Sequence, residues 1–172
     1  MALRKPNEIP KISKAREKTI DKLKKAIPKK KKEEIEFICK IFYFYDKKEK
    51  KQKCRVLLET VKLFNTLNYS ISLQHRKIKN EIDISIFGLS ARNDYLTEVK
   101  PAYEVVDFDE LYGEHIINII KQDGSINSIK IDFNPYKKQM NLVEEFIPPK
   151  KNNGKFCAFE IAENLFSFSE DY

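Results

Sequence analysis

The sequence predicts an α+β fold: N-terminal helices, then an antiparallel three-strand meander, a helix and further strands, in an αβββαβ-like core. Three observations predict it. Apolar residues recur at helical spacing through the first third of the chain. Strict alternation of apolar and polar residues begins at Tyr69. The polar stretches between the alternating runs are short, as in a meander. A chain of 172 residues with 41% hydrophobic and 12% aromatic content is long enough for one packed domain and an appendage.

The elements follow in order. Pro6 and Pro10 keep the first ten residues extended. From about Ile12 to Ile27, the residues Ile12, Ala15, Ile20, Leu23 and Ile27 are spaced for an amphipathic helix, whose other faces carry Arg16, Lys18, Lys22, Lys24 and Lys25. Pro28 and the run Lys29–Lys32 end it. A second helix is expected over Lys32–Tyr45, apolar nearly all round, and a third over Cys54–Leu67 with Leu57, Leu58, Val61, Phe64 and Leu67 on its core face. The charged link Asp46–Lys53 between them should be exposed. Three strands follow, at Tyr69–His75, Ile82–Phe87 and Tyr95–Val106. A helix over about Asp109–Lys121 is capped by Asp107 or Asp109 and packs Tyr112, Ile116, Ile119 and Ile120. Strands at Ile126–Phe133 and Phe156–Ile161 complete the pattern, and no internal repeat is present. The expected organisation is a basic helical arm, 1–53, and an α+β domain, 54–172.

Charge divides along the same line. Met1–Lys53 holds 19 basic and 8 acidic residues, whereas Cys54–Tyr172 holds 14 and 18. The net charge of +7 is therefore a basic arm on a mildly acidic body. Lys24, Lys25, Lys29, Lys30, Lys31 and Lys32 are the candidate nucleic-acid contacts, giving salt-dependent binding to phosphates of DNA or RNA. Aromatic residues are scarce in the arm, so base stacking is not expected there. Only four glycines occur, at 88, 113, 124 and 154, too far apart for a phosphate-cradling loop. Cys39, Cys54 and Cys157 lack metal-ligand spacing and fit a reducing compartment. No apolar signal core lies in the first thirty residues, and Phe37–Tyr45 is too short to span a bilayer. The sequence thus predicts a soluble cytoplasmic protein with no integral membrane contact.

One constellation points to chemistry. If the second and third strands pair so that Phe87 meets Asp94, then Asp83 faces Glu98 and Glu81 faces Lys100, all on one face. Carboxylates at that spacing suit Mg²⁺, which takes oxygen ligands and keeps waters. A lysine beside the ion could orient an attacking water. Asp83 on one strand and Glu98-Val99-Lys100 on the next, in an αβββαβ order over residues 54–133, resemble the PD-(D/E)xK nuclease superfamily. The resemblance implies a Mg²⁺-dependent phosphodiesterase: Asp83 and Glu98 as metal ligands, Lys100 as the catalytic base or orienter, and Glu59 and Glu81 as accessory carboxylates. No proline precedes Asp83 and Pro101 follows the tripeptide, both departures from the family pattern.

A second reading stands beside the nuclease. Glu81 and Lys100 form a surface pair, Asp83 and Glu98 are solvated, and the sheet face docks a protein partner or a second copy, as in an immunity-type interaction module. His75 reads as a strand-end residue and His115 as a packing residue.

Overall fold

Strand-forming residues, many β-branched or aromatic, fill the chain from Phe37 onward, and a period of two sends successive side chains to opposite faces of a sheet. The result is nine strands. In the computed structural model they are β1 Phe37–Asp46, β2 Lys51–Phe64, β3 Leu67–Ile78, β4 Glu81–Tyr95, β5 Lys100–Asp109, β6 Gly113–Ile120, β7 Ile126–Asn134, β8 Gln139–Phe146 and β9 Cys157–Ile161, followed by a single 3₁₀ turn at Glu163–Leu165. The structure describes residues 34–95, 98–109, 111–149 and 153–169. Chain contacts separate Met1–Lys31 from Lys32–Tyr172, and the account below concerns the second unit.

All nine strands join one sheet, in the order β8-β7-β6-β4-β3-β5-β2-β1-β9. The sheet curls into a nearly closed barrel whose two edge strands, β8 and β9, approach one another. Side-chain amides bridge this seam where no ladder runs. Asn127 Oδ1 accepts the backbone N–H groups of Phe156 at 2.8 Å and Cys157 at 2.9 Å, while its Nδ2 donates to Gly154 O at 3.0 Å. Asn153 exchanges two hydrogen bonds with the backbone of Ile126, both 2.9 Å. Lys155 pairs with Glu145 across the same gap at 2.8 Å. At the other end of the seam the Tyr43 hydroxyl donates to Gln139 O.

The interior is filled by alternate residues of every strand. Cys39, Ile41 and Tyr43 of β1 face Cys54, Val56 and Leu58 of β2, and the isoleucines of β4, β6 and β7 complete the opposite wall. The ladders shift register at four points, between Glu59 and Leu63, Leu67 and Tyr69, Ser72 and Leu73, and Lys130 and Ile131, and such bulges bend the walls. Between Glu59 and Leu63 the ladder to β5 breaks, and Thr60 Oγ1 takes the Ala102 N–H at 3.0 Å and donates to Lys62 O at 2.7 Å. Between Ser72 and Leu73, β4 carries one extra residue, Phe87, beside Gly88 at φ +140°, where a side chain would be strained.

This architecture overturns the α+β expectation. The helices expected over Lys32–Tyr45, Cys54–Leu67 and Asp109–Lys121 are occupied by β1, β2 and β6. The physical reason is visible in β6. Ile116, Ile117, Ile119 and Ile120 satisfy a helical stripe, but β-branched side chains favour the pleated surface, and both faces of this strand are covered. In β1, likewise, an all-round apolar run is what a strand packed on two sides requires. The expected helix at Ile12–Ile27 lies outside the described residues. The boundary expected after residue 53 falls inside β2, so 37–53 belongs to the barrel. The αβββαβ order that carried the PD-(D/E)xK resemblance is not present among the described residues. No described helix is long and apolar enough to cross a membrane.

Candidate nucleic-acid interface

The acidic and basic residues singled out on the meander are dispersed. β4 continues as a strand through Ser90–Asp94, where a turn was expected, with its ladder shifted between Ala91 and Tyr95, and its antiparallel partner is β3, not β5. Asp83 therefore faces Arg76 of β3 and Asn118 of β6. Its Oδ2 accepts from Arg76 at 3.0 Å, and its Oδ1 shares the Asn118 amide with Glu81 Oε1, each at 2.8 Å. Asn118 Oδ1 in turn accepts the buried Ser128 hydroxyl at 2.6 Å. Asp83 and Glu81 are thus brought together, with an amide between them.

Glu98 and Lys100 lie elsewhere. β3 separates β4 from β5, and Tyr103 aligns with Ser70, which places Lys100 level with the start of β3 at Leu67. Nine residues of β3 separate that level from Arg76, roughly 30 Å of strand. A Mg²⁺ ion with ligands at about 2.1 Å cannot be shared across that span. Glu59 pairs with Lys40 at 2.8 Å on the far wall. Among the described residues no three His, Cys, Asp or Glu side chains gather to hold a metal. The residues present do not fit the Mg²⁺ centre, and nothing in the described residues supports nuclease chemistry. Lys24, Lys25 and Lys29–Lys32 lie outside the described residues. His75 is exposed with its ring edge-on to Phe108, and His115 is buried, with Nδ1 3.2 Å from Gly113 O.

Strand directions bring a different set together. The β1–β2, β3–β4, β5–β6 and β7–β8 connections all fall at one end of the barrel, its mouth. A cleft of about 560 Å³ opens there, lined by Tyr43, Gln52, Lys53, Cys54, Leu111, Tyr112, Pro135 and Tyr136. Leu111 anchors its loop in the core, which leaves Tyr112 outside. Asn134 Oδ1 accepts the Lys137 N–H at 3.0 Å and Pro135 O the Lys138 N–H at 3.2 Å, a tight turn that lifts Tyr136 outward. Tyr112 and Tyr136 are 62% and 88% exposed, and their rings meet edge to face with centroids 5.9 Å apart. Two large amphipathic rings are held at the lip without being packed away.

Three turns at this end of the barrel carry lysines. Lys47, Lys48, Lys50 and Lys51 come from the β1–β2 turn, Lys77 and Lys79 from the β3–β4 turn, and Lys137 and Lys138 from the β7–β8 turn. Each of these hairpins puts one lysine in the left-handed region: Lys50 and Lys79 at φ 53° and Lys138 at φ 56°. A side chain there costs on the order of 1–2 kcal/mol, which glycine would avoid. Lys53, by contrast, is tied down. Its ammonium meets Glu49 at 2.9 Å and Asp46 at 3.1 Å, and these partners, Glu49 first, raise its pKa to about 12. Asp46 is lowered below its usual range, foremost by the Glu49 N–H and then by Lys53. That clamp fixes the turn while the four outer lysines stay exposed. Burial pushes up the Tyr43 hydroxyl and the Cys54 thiol behind the cleft, so the floor is neutral.

Sequence reasoning placed Tyr112 on a helix core face, did not single out Tyr136, and read Asp46–Lys53 as a linker. The available signal was Lys47-Lys48-Glu49-Lys50 between two alternating runs, a hairpin turn once 37–46 is read as a strand. No family model, curated protein or solved structure matches this chain.

Proposed function

We propose that the chain is a nucleic-acid-binding barrel that takes single-stranded DNA or RNA across its mouth. The observation that carries this reading is the exposed Tyr112–Tyr136 pair at a cleft on the same end of the barrel as three lysine-bearing turns. Bases stack on aromatic faces at about 1–3 kcal/mol each, and lysines follow the backbone without reading sequence. The strained lysines support it further: strain at a surface turn is retained where the side chain is used. Duplex DNA hides its bases and would meet only the lysines. The basic segment 1–33 adds electrostatic affinity of the same salt-dependent kind.

Fluorescence anisotropy of labelled single strands and matching duplexes, titrated with the full chain, tests this. Single strands should bind more tightly, and the double variant Tyr112→Ala/Tyr136→Ala should lose about a hundredfold in single-strand affinity, some 3 kcal/mol, with duplex binding unchanged. Equal affinity of parent and variant for single strands contradicts it.

A further inference from the structure

The polar groups on the floor of the mouth cleft are left with acceptor capacity. Tyr43 lies opposite Cys54 and Tyr45 opposite Gln52, so Tyr43 and Gln52 are diagonal neighbours on one face, and both line the cleft. Gln52 Nε2 donates to Ser167 O at 3.0 Å. A backbone carbonyl can only accept, so the amide nitrogen must face Ser167 and the amide oxygen is left for the cleft. That oxygen takes no hydrogen bond from another described residue. Ser167 is itself held: its N–H donates to Tyr43 O at 2.9 Å, and its hydroxyl accepts the Tyr45 N–H at 3.0 Å. The orientation of the amide is thus built into the fold. Tyr43 has given its one hydroxyl proton to Gln139 O, so its oxygen too has only lone pairs to offer. Leu111 and Pro135 add apolar walls, and the Lys53 ammonium is held by Glu49 and Asp46.

We infer that this floor selects strands whose bases carry an exocyclic amino group, with Gln52 as the specificity-determining residue. The inference rests on single-strand binding at the mouth and names which strands bind best there. An amino group brings two N–H donors, and Gln52 Oε1 and the Tyr43 oxygen supply two acceptors. Phosphate oxygens are acceptors themselves and would set lone pair against lone pair, so the backbone stays with the lysines of the turns and the base enters. The cleft, at about 560 Å³, is in the size range of small-ligand sites, large enough for one base. Cytosine presents an amino donor at C4 where uracil, like thymine, presents a carbonyl. A carbonyl there meets acceptors with an acceptor, and the two protein oxygens lose water without gaining a partner.

Anisotropy titrations of the full chain with oligo(dC) and oligo(dU) of equal length test this, at a slightly alkaline pH where cytosine is uncharged. The two strands differ only at the 4-position and the adjoining ring nitrogen. The parent should bind oligo(dC) about tenfold more tightly. Gln52→Met keeps the length of the side chain and removes the acceptor. It should bring the ratio to about threefold or less by weakening oligo(dC) alone, and adding Tyr43→Phe should bring it to unity. Circular dichroism checks that the variants are folded, and the comparison of two strands on the parent needs no variant. Equal affinity of the parent for both strands overturns the inference while single-strand binding stands. A preference that survives in Gln52→Met/Tyr43→Phe overturns it as well. A parent that binds neither strand overturns the reading of the mouth, and this inference with it.

Discussion

The two ends of the barrel differ in what they expose and in how the seam is held. The mouth presents lysines and two tyrosines, and among the described residues its seam is fastened by the Tyr43 hydroxyl on Gln139 O. The far end presents the edge of β4, and its seam is fastened by the amides of Asn127 and Asn153 with five hydrogen bonds to four residues: Phe156, Cys157, Gly154 and Ile126. A barrel whose closure is concentrated at one end can carry strain and open space at the other. On the proposed reading, the end that binds is the end whose seam carries fewer of these side-chain hydrogen bonds.

Three buried thiols give the largest test of that contrast. Cys39 and Cys157 lie toward the far end and Cys54 beneath the mouth. Burial pushes all three up, Cys157 to about 12, so in the folded chain they remain thiols. The unfolded chain ionises them near their ordinary value of 9.0. Stability is therefore whole below that pH and is lost above it, by about 1.4 kcal/mol per thiol per pH unit until the folded value is reached. Denaturant titrations between about pH 8 and 10 should show roughly 4 kcal/mol lost in the parent. Cys39→Ala/Cys157→Ala should remove two-thirds of that slope. If Cys54→Ala leaves the slope unchanged, water reaches the floor of the cleft and the mouth is looser than drawn.

Next in size is the seam itself. Asn127→Ala leaves the N–H groups of two buried residues, Phe156 and Cys157, without their acceptor, which should cost about 3 kcal/mol. Tyr43→Phe removes one bond at the mouth and should cost about 1 kcal/mol. Equal costs in urea denaturation would erase the difference between the ends.

The smallest effects separate binding from folding. Lys50→Gly, Lys79→Gly and Lys138→Gly relieve left-handed strain, so each should raise stability by about 1 kcal/mol. Each should also lower the slope of log affinity against log salt by about 0.7 for a single strand. A variant that gains stability without losing slope removes that lysine from the interface.

Part of this architecture was legible in the sequence. Alternation at Tyr69–His75 and Ile82–Phe87 marked β3 and β4, and the runs at Ile126–Phe133 and Phe156–Ile161 marked β7 and β9. β1, β2 and β6 were read as helices, because apolar residues on both faces of a closed sheet mimic a helical stripe. β8 was passed over: Gln139–Phe146 is an edge strand, exposed along most of its length, so its pattern is weak. The pairing partners of β4 were not legible at all. Parallel contact with β6 and separation from β5 by β3 are long-range features, and a one-strand error scattered Asp83, Glu98 and Lys100. The lysine turns were visible as charge, but only the fold shows that they share one end.

Chemical-shift mapping on the isotope-labelled full chain, titrated with a short single-stranded oligonucleotide, tests the central claim most directly. The account predicts shifts concentrated at Lys47–Lys51, Lys77–Asn80, Leu111–Tyr112 and Tyr136–Lys138. Shifts confined to residues 1–33, or centred on β4 beyond Ser85, would contradict it.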